Sequence, residues 1–93
     1  MADTKLTTVK IIKDIYSKFD LHVYPSPAVD VLNIATFDNM LSISVYTIDG
    51  KLVKVQEANS STNTMDVSNL AAGMYMIQVI TEEETLQTKF SKR

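Results

Sequence analysis

Cysteine is absent from these 93 residues, so disulfides, thiolate metal ligands and a cysteine nucleophile are all excluded. That absence says nothing about compartment. Two glycines cannot build a phosphate-cradling loop, and no glycine-rich phosphate motif is present. The single histidine, His22, has no second histidine with which to complete a metal set, and it falls on the polar face of a short strand pattern, where a solvated role is expected. No apolar run approaches the length that crosses a bilayer as a helix. Residues 1–20 contain four lysines and no apolar block of the kind a secretory signal needs.

Charge of one sign is also locally scarce. Residues 1–20 carry four Lys and three Asp, net +1; residues 21–88 carry two Lys against eight Asp and Glu, net −6; residues 89–93 carry Lys89, Lys92 and Arg93, net +3. The sum is −2. An acidic body with 8% aromatic residues repels phosphate backbones, which argues against nucleic-acid binding. The apolar fraction of 45% matches an ordinary folded domain, and the length accommodates one domain with a core.

What is present is alternation. From Gly73 the run Met74-Tyr75-Met76-Ile77-Gln78-Val79-Ile80 puts Tyr75, Ile77 and Val79 on one face of a strand. Upstream, Asp66-Val67-Ser68-Asn69-Leu70 reads as a turn plugged by Leu70. A tyrosine opening a strand just after a turn predicts a tyrosine corner, its phenol bonded to upstream backbone. Met74, Met76 and Ile80 fall on the opposite face and are expected to be covered by residues 9–19, where Val9, Ile12, Tyr16 and Phe19 recur at helical spacing. Residues 1–20 as a whole read as a linker to whatever precedes the domain, with weak helical tendency.

The domain is expected to span 21–93. Leu21 and Val23 point inward on a first short strand, stopped by Pro25-Ser26-Pro27, which cannot donate ladder bonds. Val31 to Thr36 forms a second, with Leu32 and Ile34 inward, and Asp38-Asn39 marks a turn. Leu41, Ile43 and Val45 alternate with Ser42, Ser44 and Tyr46. Asp49-Gly50 signals a two-residue hairpin loop into a strand through Val53 and Val55. Glu57 to Asn63 reads as a loop, Thr64 to Val67 as a brief pairing segment, and Glu82-Glu83-Glu84 as the last turn. Leu86, Thr88 and Phe90 alternate to the end. Seven short strands and close-set turns predict an all-β, Ig-like antiparallel sandwich with Greek-key connections.

No constellation for catalysis emerges. Asp30, Asp38, Asp49 and Asp66 sit where aspartate turns a chain by bonding nearby backbone, which outweighs a carboxylate pair or calcium cage. No enzyme activity and no cofactor are expected. The terminal Lys89-Phe90-Ser91-Lys92-Arg93 stands out, because Phe90 should anchor the strand and hold the charges after it at a set place on the surface.

Four motifs occur in one order: Leu21 to Ile34, Val45 to Val53, Asp66 to Val79, and Lys89 to Arg93. Together they resemble the type A C-terminal sorting domain of the Bacteroidetes type IX secretion system. The resemblance implies a sandwich at the end of an exported cargo protein, recognised by the outer-membrane translocon and removed by a sortase-like cysteine peptidase. The cargo would pass through the periplasm to the cell surface or medium. Pro25, Pro27, Ala28 and Asp30 match the first motif, Asp49 and Gly50 the second, Gly73 and Tyr75 the third, and Lys89, Lys92 and Arg93 the last. Most have a structural reading; the three terminal cations have no evident fold role and are the expected translocon contacts. Ser26 stands where the family usually has Asn, and the Glu82–Glu84 turn lacks a common glycine. The alternative is an Ig-like binding or adhesion module using the loop Glu57 to Asn63, which has no aromatic anchor to offer a ligand. The sequence leaves the oligomeric state open: exposed sheet edges and Met76 or Ile80 allow pairing between copies, and a dimer is not favoured over a monomer.

Overall fold

The computed structural model describes residues 21–93. Five strands follow in order: β1 (His22–Tyr24), β2 (Val31–Thr47), β3 (Leu52–Asp66), β4 (Gly73–Thr81) and β5 (Thr85–Lys92). All strand pairings are antiparallel. The first stretch of β2 pairs β1 through Val23↔Ile34 and β3 through Leu32↔Met65; its last stretch pairs β3 through Val45↔Lys54 and β4 through Val45↔Ile77. β5 closes against β4, with Tyr75↔Phe90 in register. The result is a sheet curled into two leaves, one made of β1 with the beginning of β2 and the end of β3, the other of the beginning of β3 with the end of β2, β4 and β5.

Seven expected segments therefore appear as five strands, because β2 and β3 each serve in both leaves. Asp38-Asn39 is not a turn, and Glu57 to Asn63 is not a loop; both lie within strands. The β2–β3 ladder shifts register between Ala35 and Met40 and again between Met40 and Ser42. Such irregularities bend a ribbon while keeping most of its hydrogen bonds, so the chain turns the corner of the sandwich without leaving extended backbone. Polar residues misled the sequence reading there: Ser, Thr and Asn in β3 are tolerated because it is an edge strand.

The bend also changes which residues face inward. Met40, Ile43 and Val45 are buried while Leu41 is exposed, because two residues of β2 from Met40 to Ser42 oppose a single step on β4, from Thr81 to Ile80. The expected inward Leu41 is thereby replaced by Met40. Elsewhere alternation holds: Leu32 and Ile34, then Tyr75, Ile77 and Val79, then Leu86 and Phe90 all face the core, with Leu21, Val23 and Leu70 packed against it. Gln56, paired with Ile43 on the core-facing side, donates Nε2 to the Thr64 carbonyl at 2.9 Å and ties the two ends of β3 together.

The linker assigned to residues 1–20, and the cover expected from residues 9–19, lie outside the described residues. Met74 and Ile80 are exposed and Met76 is half-buried on the outer face.

Candidate functional site

The four sequence motifs meet at one end of the sandwich. Their junction is built on β5, whose last residues are held from two sides. On one side Gly73 is the register partner of Lys92. On the other, Ala28 forms a parallel bridge with Lys92: the Ala28 N–H donates to the Ser91 carbonyl at 2.7 Å, and the Arg93 N–H donates to the Ala28 carbonyl at 2.8 Å. Ser26 adds its Oγ as acceptor for the Ser91 N–H at 3.1 Å. The segment containing Pro25 and Pro27, both preceded by cis peptide bonds, thus lies along the last strand, and Ala28 is fully buried there. Asp30 links the third motif, its carbonyl accepting the Val67 N–H at 2.8 Å.

The corner before β4 follows the expected form. Tyr75 donates its phenol to the Ala71 carbonyl at 2.6 Å and stacks on Phe90 at 5.6 Å between centroids. Leu70 closes the turn, its N–H on the Val67 carbonyl at 3.0 Å. Gly73 opens the strand at φ +147°, a backbone conformation that side-chain-bearing residues rarely adopt. Asp66 accepts from the Ser68 N–H at 2.9 Å and from its hydroxyl at 2.6 Å; these bonds, the hydroxyl's first, hold the Asp66 carboxyl below its ordinary value of 3.8.

Thr47↔Tyr75 pairing brings the Asp49-Gly50 hairpin to the same end. Its loop differs from the two-residue form expected. The Gly50 N–H donates to the Thr47 carbonyl at 2.9 Å, the Thr47 N–H to the Lys51 carbonyl at 2.8 Å, and only Gly50 has positive φ, +97°. A turn followed by one left-handed glycine needs a single positive φ, whereas a two-residue type I′ loop needs two, and Asp49 does not adopt one. Thr47 holds the loop through its hydroxyl, which donates to Asp49 and accepts the Lys51 N–H at 3.0 Å. The Thr47 bond is the main reason the Asp49 carboxyl sits below its ordinary value.

The three terminal cations are not presented together. Lys89 is exposed on the outer face, paired with Met76. Lys92 shares the inner-face parity of Phe90 and is only 8% exposed, its Nζ donating to the Arg93 carbonyl at 3.0 Å. Arg93 is exposed. Lys92 therefore does have a place in the fold, contrary to the sequence reading, because its stem packs while its head bonds backbone. Thr81 is the residue that sequence reasoning passed over, while Ser26 was noted only as standing where the family usually has Asn, without its bond to the last strand. The Thr81 hydroxyl accepts the N–H groups of Glu83 at 3.1 Å and Glu84 at 3.0 Å, which organises the last hairpin without a glycine. A hydroxyl residue directly before a turn is the signal that would have found it. His22 is exposed, and no group of three or more His, Cys, Asp or Glu among the described residues is placed to hold a metal ion.

Among curated proteins none matches this chain. Among solved structures, the chain is similar to PorZ, an essential bacterial surface component of the type-IX secretion system of Porphyromonas gingivalis, with a TM-score of 0.68 and 18% identity. The match covers 84% of this chain but 12% of that one, so the likeness is to a small part of a much longer protein, and it concerns the fold. A family model described as the secretion system C-terminal sorting domain matches residues 22–93, from the first strand through the junction just described. The chain belongs to the family of secretion-system C-terminal sorting domains.

Proposed function

We propose that residues 21–93 act as a non-catalytic secretion signal that directs an attached N-terminal cargo through the type IX outer-membrane translocon and is then cut away by a sortase-like peptidase. The cargo crosses the periplasm and finishes at the cell surface or in the medium. The observation that supports this most is the anchoring of the last strand on both sides, by Gly73 and by Ala28, in a chain whose family match runs to Arg93. An address that must be read needs a defined shape, and hydrogen bonds up to the final residue hold one.

Lys89 and Arg93 are the exposed cations there and serve as charge-assisted donors to an acidic receptor surface. Lys92 assists by setting the backbone that carries Arg93. The test fuses residues 1–93 to an inert periplasm-directed reporter in a Bacteroidetes strain with an intact type IX system, and compares it with Lys89→Gln/Arg93→Gln. Surface delivery by the parent and periplasmic retention of the double variant, with unchanged circular dichroism, is expected. A parent fusion that stays in the periplasm would sink the export reading; a double variant that still exports would move recognition away from these cations.

A further inference from the structure

The outer face of the first leaf carries a second surface, away from the β5 end. Strand register lines up Tyr24, Asn33 and Thr64 in one row across three strands, and His22, Ala35 and Thr62 in the next. Between them lies a depression of about 330 Å³ lined by Tyr24, Asn33, Ile34, Thr62, Asn63 and Thr64. Tyr24 is 54% exposed, so much of its ring is open to solvent beside the groove. The polar groups are held: the Asn33 Nδ2 donates to the Tyr24 carbonyl at 3.1 Å, and Gln56 pins the Thr64 carbonyl from the other leaf, whereas Asn63, in register with the inward Ile34, turns its Nδ2 to the Ser60 carbonyl and the Met40 sulfur.

We propose that this depression binds a neutral saccharide. No lining residue is charged, so nothing there offsets the desolvation of a phosphate or carboxylate. Hydroxyl and amide groups both donate and accept, which is what the hydroxyls of a sugar also do. The Tyr24 ring supplies an apolar face for the C–H side of a pyranose, next to a polar handle. The volume falls at the lower end of the range of about 300–1,000 Å³ typical of small-molecule sites, the size of a short oligosaccharide rather than a polymer groove. Asp66 sits next beyond Thr64 on the same face, paired with Val31, and would repel an anionic glycan. The sequence offered Thr62 without an aromatic partner; β1 brings Tyr24 to its face across β2.

The test is independent of secretion. The 93-residue chain, labelled with ¹⁵N, is titrated with cellotriose and with maltotriose. Saturable amide shifts at Tyr24, Asn33 and Thr62 to Thr64 with at least one trisaccharide are expected, lost in Tyr24→Ala and weakened severalfold in Thr64→Val. Thr64 is exposed, so that second variant removes a hydroxyl without touching the core and decides the matter if Tyr24→Ala fails to fold. No saturable shift with either sugar, or binding unchanged in Thr64→Val, overturns the proposal. Equal binding of trigalacturonate overturns the assignment to a neutral ligand.

Discussion

Tyr75 does two jobs with one side chain, since its ring stacks on Phe90 while its hydroxyl holds the Ala71 carbonyl. Tyr75→Phe keeps the first and removes the second, leaving a part-buried carbonyl without that donor. Such losses cost about 1–3 kcal/mol, and a lowered urea midpoint with unchanged slope is expected. Asp66 offers a sharper test, because its environment acts on one titration. Its carboxyl is depressed below 3.8 by the Ser68 hydroxyl, then the Ser68 N–H, with a smaller pull from Lys54. A depressed native value means that the contribution to stability is complete above 3.8 and drains away as pH falls through the lower folded value. Carbon-detected titration of Asp66 should therefore show a midpoint below 3.8 that moves up toward it in Ser68→Ala. Asp66 is exposed to water, so the shift is read in the titration rather than in the unfolding energy.

The two hairpins show how turn chemistry is shared between glycine and hydroxyls. Gly50 stands at φ +97° with nothing within 4 Å of where a Cβ would lie. Gly50→Ala therefore meets no steric wall, and its cost is backbone strain alone, about 1–3 kcal/mol by the usual penalty for a non-glycine residue in that region. Thermal unfolding would read it directly. The β4–β5 hairpin has no glycine, and Thr81 does the equivalent work with its hydroxyl, buried to 4% exposure. Thr81→Val keeps the shape and deprives two N–H groups of their acceptor; a loss of about 1–3 kcal/mol is expected, with faster hydrogen exchange at Glu83 and Glu84. These turns were legible as turns from Asp-Gly and from the triple glutamate. Their types were not, because a turn type depends on which backbone angles the flanking ladder imposes.

Across the molecule, the last two residues are both a charge pattern and a structural seam. Removing Lys92 and Arg93 deletes the bridge to Ala28 and the Arg93 N–H bond to its carbonyl. Such a deletion should lower stability by about 1–3 kcal/mol, whereas Arg93→Gln, which keeps the backbone, should stay within about 0.5 kcal/mol of the parent. Comparing export of the two separates a lost charge from a loosened end. The same seam explains why the motifs sit where they do: the Ser26–Ala28 segment, Gly73 and the Ser91-Lys92 end come from three distant stretches of the chain and are adjacent in the fold.

Alternation along each strand was enough to assign the class, the inward residues of the last two strands and the tyrosine corner, because a period of two depends only on neighbours in sequence. The ordered motifs were enough to indicate the family. Local pattern had no access to the corner at Ala35 to Ser42, where two apparent strands join into one and Met40 displaces Leu41 from the core, since a bulge is set by what lies opposite. It likewise could not place Lys92 inside and Lys89 and Arg93 outside, nor set Tyr24 beside Thr64. Those outcomes depend on contacts between distant segments, which exist only once the two leaves have closed on one another.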